Sequence, residues 1–225
     1  DIYNGQTGAL LVQGLSTENW GGHVAQREEA FPIAIDILPT AFCADCQGLE
    51  LVAGDRIYSI NIGTGIITKV VDLNSSATLG MARGGFAAVA DMDNDGDVDI
   101  VVNTRASDGT SITSGQAGIY IWDGQTTALM GGPYELNSVS AASGNTTVGG
   151  CPNLADFNGD GTIEIGTAGF NTYLVLDFDA TALTPALAMT ELWSKVTNDG
   201  SQRTGSTVFD FQGDGPNEVV YRDED

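Results

Sequence analysis

The sequence predicts an all-β chain of β-propeller blades, about four repeat units forming a partial or strand-completed ring. Three observations predict it: two recurring phrases and an absence of helical periodicity. One phrase is an aspartate loop between two apolar strands, with loops starting at Asp91, Asp156 and Asp210. The other is an aromatic strand that closes in a turn, starting at Ile2, Ile57, Ile119 and Tyr173. The steps between copies run from 54 to 65 residues. A unit of that length with about four short strands fits a propeller blade and is too short to bury a core alone. The approximate units are residues 1–62, 63–124, 125–177 and 178–225 of a single region spanning 1–225.

The aromatic phrase reads Ile2-Tyr3-Asn4-Gly5-Gln6-Thr7-Gly8, then Ile57-Tyr58-Ser59-Ile60-Asn61-Ile62-Gly63-Thr64-Gly65, then Ile119-Tyr120-Ile121-Trp122-Asp123-Gly124-Gln125-Thr126. Tyr173-Leu174-Val175-Leu176-Asp177 is its fourth copy. Apolar alternation bounded by Gly, Asn and Asp marks strands and turns. The aspartate phrase has Phe86–Ala90 before its first loop and Ile100–Val102 after it. Asn153–Ala155 and Ile165–Gly169 flank the second loop, and Thr207–Phe209 and Val219–Tyr221 the third. A degenerate copy precedes them. Phe31–Asp36 resembles its first strand and Leu49–Gly54 its second, with Cys43, Asp45 and Cys46 in place of the aspartate run. That loop is expected to hold no calcium and to be braced by a disulfide, either Cys43 to Cys46 or one of these to Cys151.

The three regular loops carry the chemistry. Calcium takes six to eight hard oxygens, and acids at alternating positions can converge on one point. The first loop places Asp91, Asp93, Asp95, Asp97 and Asp99 at positions 1, 3, 5, 7 and 9, with Gly96 at the turn. The second places Asp156, Asn158, Asp160, Thr162 and Glu164 there, and the third Asp210, Gln212, Asp214, Pro216 and Glu218. Position 7 needs only a carbonyl, so Pro216 fits. Two to three Ca2+ ions are expected, bound most tightly by the first loop and least by the third. An EF-hand is excluded, because position 12 holds Val102, Thr167 and Tyr221 rather than an acid.

These loops resemble those of FG-GAP/VCBS repeats, the calcium-binding blades of integrin-α-like propellers, in their bacterial secreted form. Asp91, Asp93, Asp95 and Asp99 match the family's DxDxDGxxD pattern, and the other two loops match with Asn158, Glu164, Gln212 and Glu218 substituted. The segment from Glu191-Leu192-Trp193-Ser194 to Glu224 looks like one blade type of such proteins. The resemblance implies an extracellular, calcium-braced propeller used for adhesion, glycan binding or scaffolding.

Composition narrows the partners. Thirty Asp and Glu against eight Lys and Arg give a net charge of −22, which opposes binding to nucleic acid and to anionic membranes. No apolar run is long enough to span a membrane. Three cysteines leave one unpaired within the chain, and a single histidine, His23, excludes a CxxC-based zinc site. The chain starts at Asp1 without a signal peptide, which reads as a processed or excised piece. The Ile2-Tyr3 strand could complete the last blade as a ring closure or between copies in a head-to-tail filament; a cut from a longer protein is the third reading.

Three functions compete. The first is an extracellular calcium-binding structural or adhesion module without catalytic residues, partnered by calcium and by other copies, glycan or protein. The second is a propeller-type polysaccharide lyase, which two lysines, one histidine and an acidic surface disfavour. The third is a glycan-binding lectin. Trp20, Trp122 and Trp193 are expected in the core rather than as sugar platforms, and His23 in a surface or structural role. Asn74-Ser75-Ser76 and Asn145-Thr146-Thr147 are glycosylation sequons, and 103–118 is a polar insertion.

Overall fold

A computed structural model describes residues 1–14, 31–44, 46, 48–73, 83–105, 118–136, 150–169, 172–199 and 204–223. Trp20, His23, Asp45, both sequons and most of the 103–118 insertion lie outside them.

Among the described residues, sixteen strands form five antiparallel sheets. A two-stranded sheet pairs β1 (Ile2–Tyr3) with β2 (Leu10–Val12). Three four-stranded sheets follow, each in simple sequential order. The first contains β3 (Ile33–Ile35), β4 (Glu50–Ala53), β5 (Arg56–Asn61) and β6 (Ile66–Asp72). The second contains β7 (Arg83–Ala90), β8 (Asp99–Arg105), β9 (Ile119–Trp122) and β10 (Leu129–Tyr134). The third contains β11 (Asn153–Ala155), β12 (Glu164–Gly169), β13 (Thr172–Phe178) and β14 (Met189–Val196), with a 3-10 turn at Pro185–Leu187. The last sheet pairs β15 (Ser206–Phe209) with β16 (Glu218–Tyr221).

The aspartate phrase, or its degenerate copy, thus supplies strands one and two of each four-stranded sheet, and the aromatic phrase supplies strand three. The units 1–62, 63–124 and 125–177 end at or near the close of a third strand, so each full sheet straddles two of them. The phase differs because the aromatic phrase, taken as a closing strand, is followed by one more: β6, β10 or β14.

Period-two alternation explains the stacking. In β9, Ile119 and Ile121 enter one core while Tyr120 and Trp122 enter the core on the opposite face. In β13, Leu174 and Leu176 face one way, Tyr173 and Val175 the other. Both faces of a central strand are therefore dry, which requires a sheet against each. Four cores result, one between each consecutive pair of sheets. Polar side chains also cross these gaps. Asn103 donates to the Gly150 carbonyl (3.2 Å) and Asn153 donates to the Ser206 carbonyl (3.1 Å). Outer strands show the opposite texture: β14 is exposed along most of its length.

The third-to-fourth strand turn repeats almost atom for atom. Asn4, Asn61 and Asp123 each accept main-chain N–H groups two or three residues on, at 2.7–3.0 Å. The fifth turn residue is then left-handed, at Gly8 (φ 70°), Gly65 (φ 71°) and Thr127 (φ 59°). Such side-chain-to-backbone bonds fix the turn locally.

Candidate metal centres

Each aspartate loop joins the first strand of a sheet to the second, and the ladder fixes its two ends. Ala90 pairs with Asp99, Ala155 with Glu164, and Phe209 with Glu218. The position 9 acid is thereby held opposite the residue that precedes the position 1 aspartate. One of its oxygens accepts the N–H of position 2: Met92 to Asp99 (2.8 Å), Phe157 to Glu164 (2.6 Å) and Phe211 to Glu218 (2.7 Å). The position 1 aspartate accepts N–H groups from inside the loop. Gly96 donates to Asp91 (3.0 Å), Gly161 to Asp156 (2.9 Å) and Gly215 to Asp210 (2.9 Å). Those glycines are left-handed at φ 97°, 89° and 110°. A β-carbon would strain each turn.

This scaffold gathers carboxylates. Asp91, Asp93 and Asp99 offer oxygens within 4.8 Å of one another, and so do Asp156, Asp160 and Glu164, and Asp210, Asp214 and Glu218. Asp95 accepts the Asp97 N–H (2.9 Å), and neither Asp95 nor Asp97 belongs to the first converging set. Position 3 of the second loop is Asn158, whose amide donates to Asp160 and Glu164, each at 3.1 Å. Thr162 donates its hydroxyl to Asp160 and Glu164. Gln212 of the third loop donates to Glu218 (2.8 Å). Pro216 packs its ring on Gly159 of the second loop: a β-carbon there would lie 2.9 Å from Pro216 Cγ.

The electrostatics differ among the loops. Burial pushes the Asp99 carboxyl up to about 6, with help from the neighbouring Asp93 and Asp123 charges. Burial likewise raises Glu164 and Asp93 above the ordinary carboxylate range. Hydrogen bonds from Thr162 hold Asp160 below it, and the Gly215 N–H leads those that hold Asp210 below it. The ion pairs within the described residues join Arg56 and Lys69 to Asp55 and Asp72, none of them a residue of these loops. Carboxylates gathered this closely repel one another when both are ionised.

The donor set fits calcium. It has carboxylates at the centre and the side-chain amides of Asn158 and Gln212 and the hydroxyl of Thr162 at its margin, oxygen-bearing groups of the kind a hard divalent cation prefers. Amide groups that now donate to carboxylates, as at Asn158 and Gln212, can present their oxygen instead by a side-chain flip.

Other sequence candidates fall elsewhere. Trp122 is buried and stacks on Tyr120 (5.4 Å), and Trp193 is half-buried against Tyr173 (6.0 Å). Cys43 and Cys46 form a disulfide with an S–S distance of 2.05 Å.

No family model matches the sequence. No curated protein matches it either. Two solved structures overlap with it: the rhamnogalacturonan lyase YesW (TM-score 0.42, 15% identity) and the Bacillus licheniformis rhamnogalacturonan lyase PL11 (TM-score 0.43, 17% identity). Each overlap covers 76% of this chain and 33% of the lyase chain, so the chain spans about a third of their length.

Proposed function

We propose that this chain is an extracellular calcium-braced module of the FG-GAP/VCBS propeller type, serving adhesion or scaffolding rather than catalysis. The observation that carries the reading is the convergence of three carboxylates in each of three loops at equivalent places in three sheets. A bound Ca2+ would replace mutual repulsion with attraction and tie positions 1 to 9 across each strand pair. Face-to-face stacking of consecutive sheets supports blades, and the Cys43–Cys46 disulfide suits an oxidising compartment. No helix among the described residues is long and apolar enough to cross a membrane.

Binding to the native state alone stabilises by about 2.7 kcal/mol at a hundredfold excess over Kd. Millimolar calcium is therefore expected to raise the melting temperature by several degrees, about 2–4 °C per kcal/mol for a chain of this size. Chelation should reverse it, and Asp91→Asn with Asp99→Asn should remove part of it. An identical melting curve with calcium and with chelator would sink the proposal.

A further inference from the structure

The loop between β3 and β4 lacks the regular aspartate run, yet its ends match the other three. Ile35 pairs with Glu50 as Ala90 pairs with Asp99, Ala155 with Glu164 and Phe209 with Glu218. Asp36 follows the first strand directly, as Asp91, Asp156 and Asp210 do. Glu50 also repeats the position 9 hydrogen bond, accepting the Ile37 N–H at 3.0 Å and the Leu38 N–H at 3.2 Å through Oε2. Six additional residues and a disulfide separate these ends without moving them.

One difference singles this loop out. In the regular loops the second oxygen of the position 9 acid has a partner: Gly124 N–H at Asp99, Asn158 and Thr162 at Glu164, Gln212 at Glu218. Glu50 is fully buried, at 0% exposure, and its Oε1 has no hydrogen-bond partner. A buried carboxylate oxygen without a donor is costly, and such atoms point to an ion or an ordered water. No Lys or Arg pairs with Glu50 among the described residues. We propose that the disulfide-bearing loop is a fourth cation site, with Glu50 Oε1 at its buried base and Asp36 as its second carboxylate, taking a hard divalent cation such as calcium. With two carboxylates among its described residues rather than three, it binds more weakly than the regular loops and fills last.

The inference rests on the calcium reading of the other three loops, and ion counting separates the two. Native mass spectrometry of the full chain, titrated with calcium alone, should show Glu50→Gln binding one ion fewer than the unsubstituted chain. Asp36→Asn should weaken the last-filled ion at least tenfold. Asp36 is exposed, so that variant tests the site even if Glu50→Gln fails to fold. Equal ion counts in the parent chain and in the folded variants overturn the fourth site while leaving the other three intact. No bound calcium at all overturns both readings. A calcium-saturated crystal with water, not an ion, against Glu50 Oε1 overturns the fourth site alone.

Discussion

Asp99 is a buried loop acid, with 2% of its surface exposed. Burial raises its carboxyl to about 6, whereas an unfolded chain titrates near 3.9. Between those values the folded metal-free protein holds a proton that the unfolded chain has released. That proton stabilises the fold below about pH 4, and its benefit is lost as pH rises through about 6. Calcium needs the ionised form, so protons and calcium compete for the same atom. Metal-free protein should therefore melt at a lower temperature at pH 7 than at pH 5, with calcium narrowing or reversing the difference. Asp99→Asn should flatten the metal-free pH profile and weaken calcium binding at the first loop by about tenfold or more, or ~1.4 kcal/mol. Melting curves at several pH values with chelator and with calcium check both. At this scale the sequence was readable wherever donors alternate along a loop. Asp91, Asp93 and Asp99 are spaced by local geometry, and their convergence follows. Glu50 was not readable, because 13 residues separate it from Asp36 and only the strand register brings it to the matching place.

Loops are the next scale, and the second and third are joined. Asn217 of the third loop donates both its main-chain N–H and its side-chain amide to the Asp156 carbonyl, each at 2.9 Å. Pro216 lies against Gly159, and only a glycine leaves it room. Ordering one loop therefore orders its neighbour, and calcium at the third should favour calcium at the second. Asn217→Ala removes one of the two bonds, costing about 1 kcal/mol. Calorimetry should show weaker calcium binding at the second loop and a more independent pair of steps; unchanged binding would refute the coupling. Such contacts join residues 61 apart and leave no mark on local sequence pattern. The strands divide the same way. Third strands announce themselves through Ile57-Tyr58 or Ile119-Tyr120, whose two faces both enter cores. Fourth strands β6 and β10 carry no clear signal in the sequence, because their mixed composition weakens the alternation.

For the whole molecule the open question is the sheet edges. β15 and β16 match strands one and two of a full sheet, and β1 and β2 match strands three and four. Among the described residues the outer edge of β16 is the one that β4, β8 and β12 offer to a third strand. The edge of β1 is the complementary one. Edges without a partner strand among the described residues can recruit one. Copies that paired head to tail through them would make a heterologous contact, which adds copies in a row unless the rotation closes a ring. Each copy carries a net charge of −22, so association should require salt or calcium and fail in chelator at low ionic strength. Light scattering should then show mass growing with protein concentration in calcium. Proline removes a ladder donor, so Ile2→Pro should block one edge and Val220→Pro the other. Each variant should remain monomeric by itself with its far-ultraviolet circular dichroism intact. Mixed, they retain one good edge each and should form a pair that grows no further, an outcome misfolded variants could not give. A single-copy mass at every concentration in calcium would show that these edges do not join copies, while leaving the calcium sites and the stacked sheets untouched.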